Sequence, residues 1–300
     1  MKIVPRPSRL LCLGLAVIVS LATSFALGSA PIPKRSKLDR DLSAIGHRTL
    51  YSGKYWPSLD REKAWGEKYS TAFEQARPPL HDAGITSYMD RLVQRITQNS
   101  DATLPVTVRV VNSNDIWAFT LQGGHTYVTS GLILQLQSEG ELASVLAREI
   151  AHTALRSATK EQMWANLMQL ANFPGVGYYA PGLATPLGQV GWKQRDELDA
   201  DYFGIQYLYK SGYDPFCFAR AVQKISSAPS GKLESAFSPF PPLPIRLKAL
   251  QQEINEILPR RDDEVESTSE FDEFLKRLQV AKPDVDARPK LIRHDSELRD

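Results

Sequence analysis

The 300-residue chain contains 42% hydrophobic and 23% charged residues, a composition that excludes an intrinsically disordered protein and suffices for one sizeable core or two small domains. Its 36 Lys and Arg nearly balance its 34 Asp and Glu, so the charge gives no indication of nucleic-acid binding.

The first 30 residues have the layout of an export signal. Lys2, Arg6 and Arg9 precede an uncharged run from Leu10 to Leu27, and small residues follow at 28–30. This layout predicts a cleaved signal peptide, with an uncleaved membrane anchor as the alternative. The protein is accordingly predicted to be exported, either periplasmic or attached to the membrane. Without this segment the charge is near −1, from 33 basic against 34 acidic residues.

The cysteines exclude an intramolecular disulfide in the mature chain. Cys12 lies in the predicted signal, which leaves Cys217 alone. Residues 31–60 are polar and rich in turn formers, and we interpret them as a linker and surface segment. Apolar spacing then predicts helices at 61–76 and 83–99. Alternating valines predict a strand at 104–112, and the Gly123–Gly124 pair predicts a hairpin between strands at 116–121 and 125–129.

The second half of the chain is predicted to be helical. A loop at 173–191 and a proline-rich turn at 239–244 interrupt it, and the charged tail 258–300 carries one amphipathic helix near 268–280 before a disordered end. The tail follows a main domain predicted at 61–257. The predicted helices of this half of the domain are 131–137, 139–158, 161–172, 194–210, 215–226 and 245–257.

An apolar string precedes the loop at 173–191. We interpret it as core packing, with a flap that touches a membrane as the alternative. The string comprises Met163, Trp164, Leu167, Met168, Leu170 and Phe173.

The most informative stretch is VLAREIAHTALR at 145–156. Zinc peptidases carry HExxH on such a helix, because histidines four residues apart share a face and the glutamate activates the metal-bound water. Here Arg148 stands in the first position, before Glu149 and His152. Downstream, RDELDAD places Glu197 and Asp201 one helical turn apart, as a third ligand and a carboxylate that orients a ligand would require.

These two segments resemble those of the M48 family of zinc metallopeptidases. WAFTLQGGHTYVTSGLI at 117–133 is similar to the family's NAFxxPGGxxxxxxGLL hairpin, SGYDP at 211–215 to the end of its ligand helix, and SPFPPLPIRL at 238–247 to its STHPPxxxRI turn. The resemblance implies a mostly helical α+β, gluzincin-like fold, with a small sheet bordering a cleft between the AREIAH and RDELDAD helices.

The resemblance also implies roles for individual residues. Glu149 falls on the general base, His152 and Glu197 fall on the second and third zinc ligands, and Asp201 falls on the acid that holds the first histidine. An extended substrate would pair with the strand 125–129, taken as an edge strand. The substrate residues implied there are Gly124, His125 and Tyr127.

Three imidazoles of the family pattern are replaced in this chain. Arg148 replaces the first ligand, Ser157 the histidine of an RH pair, and Phe240 the histidine of the proline-rich turn. Guanidinium offers no lone pair and stays protonated, so Arg148 cannot bind a metal. We expect it instead to pair with Glu197 and Asp201 in place of the cation, leaving zinc absent or weakly bound.

Another arrangement stays open if Arg148 points outward. His152, Glu197 and water would then form a weak metal site, and an inward-pointing His125 could add a nitrogen, although a solvent-facing His125 is favoured. Two functions are therefore weighed. One is a catalytically impaired M48-like protein that binds envelope proteins or peptides, and the other is an active or residual zinc endopeptidase. A structural component that makes contacts through its charged tail is a third. The sequence does not indicate the oligomeric state.

Overall fold

The fold, taken from a computed structural model, is α+β and mostly helical, as the sequence predicts. The structure describes residues 32–51, 56–171, 186–227 and 241–281. The predicted signal at 1–30 and most of the predicted loop, 173–185, lie outside the described residues. The helices are α1 (Leu59–Ala76), α2 (Ala83–Thr97), α3 (Ser130–Ile133), α4 (Glu139–Ala154), α5 (Ser157–Ala171), α6 (Pro186–Lys210), α7 (Phe216–Ser227), α8 (Leu243–Glu256) and α9 (Ser269–Ala281).

Side chains at the helix starts fix where several helices begin. Ser58 accepts a hydrogen bond from the Arg61 amide at the start of α1, and Asp82 accepts one from the Ile85 amide at the start of α2. Ser138 caps α4 in the same way, and Glu139 and Glu141 in its first turn complement the positive end of the helix dipole. The helix that carries the AREIAH letters therefore starts at a defined residue.

The sheet has three strands, β1 (Thr107–Val111), β2 (Ala118–Thr120) and β3 (His125–Thr129), in the order β1-β3-β2. The predicted hairpin is present, since β2 runs antiparallel to β3. β1 pairs with the other side of β3 in parallel. The prediction that β3 is an edge strand is therefore wrong, because both of its sides are paired; β2 is the edge next to α4.

The core is built around α4, which packs mainly against α6 and also against α2, α7 and β2. Leu142, Leu146 and Ile150, which follow one another at one-turn spacing along α4, are all buried. Phe271, Phe274 and Leu278 of α9 belong to the same core. The core therefore extends past residue 257, into the segment that the sequence assigned to a charged tail.

Two helix boundaries differ from the predicted ones. The helix predicted at 139–158 ends at Ala154, because Arg156 adopts a left-handed conformation with φ of 54° before α5 starts at Ser157. The helix predicted from 194 begins two turns earlier, at Pro186, where proline fits the first turn. Within the described part of the chain, no helix has the length and apolarity needed to cross a membrane.

Candidate functional site

The cleft between α4 and α6 brings together the five charged or imidazole side chains that the sequence singled out. Arg148, Glu149 and His152 lie on α4, and Glu197 and Asp201 lie on α6. Residues one helical turn apart share a face, and this places Arg148 with His152 and Glu197 with Asp201. Each pair then faces the other helix across the cleft.

The Arg148 guanidinium lies at the centre of this group. Its Nε donates to Asp201 Oδ1 at 3.1 Å, its Nη1 lies 3.2 Å from Glu149 Oε1, and its Nη2 forms an ion pair with Glu197. The side chain is only 15% exposed, so water screens these interactions little. The contact predicted between Arg148 and the two carboxylates of α6 is present.

Asp201 is held by a second arginine, which the sequence analysis did not assign. Arg246 of α8 donates from Nε to Oδ2 at 2.7 Å and from Nη2 to Oδ1 at 2.8 Å, a two-point contact between buried groups. Burial acts to raise the pKa of the Asp201 carboxyl, but the charges of Arg246 and Arg148 outweigh it and hold the pKa below its usual value. Asp201 therefore joins α4, α6 and α8 as a carboxylate.

Glu149, the residue at the general-base position, is buried and fully engaged. Thr120 at the end of β2 donates from Oγ1 to Glu149 Oε2 at 2.9 Å, while Arg148 lies against Oε1. Thr120 Oγ1 also lies 2.9 Å from Thr126 Oγ1 on β3. The edge strand is thus linked directly to the Glu149 carboxylate.

His152 is fixed by the residue that replaces a family histidine. Its Nδ1 lies 3.0 Å from Ser157 Oγ and 3.8 Å from Asp196 Oδ2, and its Nε2 lies 3.8 Å from Glu197 Oε2. Lys160 forms an ion pair with Asp196. Burial acts to raise the pKa of Asp196, but the hydrogen bond with His152 and the charge of Lys160 hold it well below the usual range.

The predicted substrate residues on β3 do not reach the cleft. Side chains alternate along a strand, and Thr126 faces Thr120 and hence α4, so His125 and Tyr127 face α1 on the other side of the sheet. His125 packs against Gly66 of α1, and Tyr127 donates to Glu74. The prediction of a solvent-facing His125 is also wrong, because the imidazole is half-buried there and burial lowers its pKa.

The arrangement does not fit the zinc ion that the family resemblance implies. Arg148 occupies the space beside Glu149, Glu197 and Asp201 where a metal would lie, and it contributes a positive charge and no lone pair. Among the described residues, no three His, Cys, Asp or Glu side chains are placed to hold a metal ion together. Phe240, which replaces the third imidazole, lies outside the described residues.

Two partners in the site, Arg246 and Thr120, were missed from the sequence. Arg246 could have been found, because a charged residue in register with Leu250 and Glu253 at helical spacing points toward the same buried face. Thr120 gave no such signal, since a threonine in a strand is common and its partner is 29 residues away.

Comparisons with known proteins identify the family of the chain. The profile described as Peptidase family M48 matches residues 81–254. The chain is 32% identical over 189 residues to the beta-barrel assembly-enhancing protease of Yersinia pestis and 28% identical over 185 residues to that of Escherichia coli (strain K12), covering 56% of this chain and 38% of each relative. It thus spans well under half the length of these relatives.

A further relative covers more of the chain. The mitochondrial metalloendopeptidase OMA1 of Schizosaccharomyces pombe is 25% identical over 242 residues, which are 75% of this chain and 69% of the relative. The matched profile takes in the hairpin, both helices of the cleft and the Arg246 helix, which are the elements that position the site. The chain belongs to peptidase family M48.

Proposed function

We propose that this protein binds extended segments of cell-envelope proteins in the cleft beside β2, and that its peptide hydrolysis is impaired because Arg148 stands in place of a zinc ligand. The observation that carries the proposal is the set of contacts between the Arg148 guanidinium and Glu149, Glu197 and Asp201. The family is zinc-dependent in general. Replacing one zinc ligand with a cationic side chain would therefore weaken the metal-assisted activation of water on which peptide hydrolysis depends.

Electrostatics supports mutual exclusion of the guanidinium and the metal. A single charge about 4 Å from a divalent ion is repelled by about 8 kcal/mol at an effective dielectric of about 20. That repulsion is comparable to much of the binding free energy of a structural zinc site. The ion pairs of Arg148 would also have to break, which would leave Glu149 and Glu197 to be compensated by the metal, while Asp201 keeps its ion pair with Arg246.

The outer edge of β2, with which no strand of the described residues pairs, supports peptide binding. In the β2–β3 pair, Thr129 donates to the Trp117 carbonyl and Leu121 donates to the His125 carbonyl, so residues 117, 119 and 121 bond to β3. The N–H and C=O groups of Ala118 and Thr120 then point away from β3, because bonding alternates along an antiparallel pair. An extended peptide can add to them as a further strand.

The location and partners follow from the N-terminal pattern and the relatives. Residues 1–30 have the layout of an export signal, and the bacterial relatives are named for enhancing the assembly of β-barrels. Envelope proteins in extended form are accordingly the proposed clients.

A second candidate function is residual zinc endopeptidase activity. The observation that favours it is the retention of Glu149, His152 and Glu197 at one cleft, with His152 Nε2 3.8 Å from Glu197 Oε2. If the Arg148 side chain moves outward, these residues and water can hold a metal weakly. This candidate predicts slow proteolysis that stops with a chelator.

Metal content distinguishes the two candidates. The purified protein is incubated with zinc, desalted and analysed for metal, and its cleavage of unfolded protein is followed with and without chelator. We expect less than about 0.1 zinc per chain for the wild type and near-stoichiometric zinc for Arg148→His, which restores the second imidazole nitrogen.

Arg277→His is the matched control, because Arg277 is exposed, pairs with Asp82 and lies on α9, outside the cleft between α4 and α6. It should gain no zinc. Stoichiometric zinc in the wild type together with chelator-sensitive cleavage would overturn the proposal in favour of the active peptidase.

A further inference from the structure

A cluster of four aromatic rings lies at the β2 edge of the sheet, on the face opposite α4. Phe119 of β2 is the register partner of Tyr127 on β3, with ring centroids 5.5 Å apart. Phe73 of α1 lies 4.4 Å from the Tyr127 ring and 5.2 Å from Phe119, and Trp117 lies 5.3 Å from Phe119. Tyr127 is buried, whereas Trp117 and Phe119 are half-buried at the edge.

The two faces of β2 differ in chemistry because its side chains alternate. Trp117 and Phe119 point to the aromatic face, while Thr120 points to the cleft, where it donates to Glu149. The backbone groups of Ala118 and Thr120 point outward between these faces. A strand added there would place every second side chain beside Trp117 and Phe119, and the others beside the charged cleft.

A positive charge at the outer end of the aromatic cluster restricts which peptide side chains can bind beside it. The Arg77 guanidinium carbon lies 5.8 Å from the centre of the Trp117 ring, and Arg77 is exposed. A lysine or arginine of an incoming peptide beside Trp117 would meet this positive charge, whereas an apolar or aromatic side chain would extend the cluster.

We propose that the aromatic face of β2 selects clients by alternation: it binds an extended segment with an apolar, preferably aromatic, side chain at every second position. This inference rests on the proposed function, since it assigns a client class to the same peptide-binding edge. The occupant is thus an amphipathic β-strand segment that has not yet been paired. Trp117 and Phe119 are the residues that set the specificity.

The test compares two labelled peptides of identical composition with the full protein by fluorescence anisotropy. In one peptide apolar and polar residues alternate, and in the other the apolar residues follow helical spacing. We expect the alternating peptide to bind about tenfold more tightly, because only it can place two or more apolar side chains on the aromatic face. Equal affinity of the two peptides would overturn the alternation.

Two variants test whether Trp117 sets the preference for the alternating peptide. Trp117→Ser should reduce the difference between the peptides to less than about threefold, because it removes one ring from the face. Trp65→Ser is the matched control, since Trp65 is also half-buried but is not in contact with the cluster rings, and it should keep the preference. A preference unchanged in Trp117→Ser would overturn the assignment.

Ala118→Pro separates this inference from the proposed function. It removes an outward N–H without touching a hydrogen bond to β3, and thermal unfolding verifies its fold. Weaker binding of both peptides to this variant supports the edge as the binding site. If the wild type binds neither peptide, the proposed function fails together with the alternation. If both bind equally and both are weakened by Ala118→Pro, the edge stands and only the alternation is wrong.

Discussion

Asp201 is the buried carboxylate of the site that pairs with both of its arginines. It is buried, and it receives hydrogen bonds from two guanidinium groups on two different helices. A buried carboxylate without such partners would carry a large desolvation cost. Removing either arginine therefore leaves the negative charge of Asp201 less well compensated inside the core.

The first prediction concerns Arg246. Arg246→Ala should lower the free energy of unfolding by about 3–5 kcal/mol, because it breaks a buried two-point ion pair and leaves Asp201 to Arg148 alone. Urea unfolding followed by circular dichroism measures the loss. Arg277→Ala, at an exposed ion pair with Asp82, is the control and should leave the midpoint unchanged. An equal effect of both substitutions would contradict a buried role for Arg246.

At this scale the sequence predicted the charged residues but not all of their partners. The spacing of Arg148, Glu149 and His152 and of Glu197 and Asp201 determines which of them share a helix face, so their meeting across the cleft could be anticipated. Thr120 and Ser157 could not be, because a short polar side chain shows its partner only when the chain is folded.

Among the elements, the hairpin was predictable and the strand order was not. Alternating residues and the glycine pair predict strands and a turn, but periodicity gives only the face of each residue, not its neighbours. The parallel pairing of β1 with β3 depends on contacts far apart in sequence. The break at Arg156 was also missed, because a left-handed arginine carries no local signal.

The second prediction concerns the turn that joins β2 to β3. Gly123 and Gly124 have φ of 75° and 83°, and a methyl group on Gly124 would lie 2.2 Å from the Pro105 carbonyl oxygen, whereas one on Gly123 would meet nothing closer than 3.4 Å. Gly123→Ala should cost about 1 kcal/mol of unfolding free energy and Gly124→Ala about 3 kcal/mol. Urea titrations measure both; equal losses would contradict the close approach at Gly124.

Across the whole molecule, segments distant in sequence hold α6 and α8 in place. Arg48, before α1, forms a buried ion pair with Asp101 at 2.6 Å and donates to Gln206 of α6 at 2.9 Å. Gln206 in turn donates to Glu253 of α8 at 2.7 Å. The N-terminal segment therefore stabilises the same two helices that carry Asp201 and Arg246.

The third prediction is a pH dependence of global stability. Burial raises the pKa of Glu253 to about 7, so the folded protein binds a proton that the unfolded chain releases near its usual pKa of 4.5. Stability from this residue is therefore fully present below about pH 4.5 and is lost as pH rises through about 7, by up to about 3 kcal/mol.

Glu253→Gln tests this, since it keeps an acceptor for Gln206 without a charge. The variant should be more stable than the wild type at pH 8 and similar at pH 4.5, by urea unfolding at each pH. Glu256→Gln, exposed on the same helix, should show no such divergence. A difference in unfolding free energy between the wild type and Glu253→Gln that stays constant across this pH range would contradict the prediction.

At the junction of α4, α6 and α8, the negative charge of Asp201 is neutralised by two arginine side chains. Its cations are the guanidinium groups of Arg148 and Arg246, which are covalently part of the polypeptide, so a chelator cannot remove them. The three helices should keep their positions when the surrounding medium is starved of divalent ions, a condition under which a fold cross-linked by a metal would loosen.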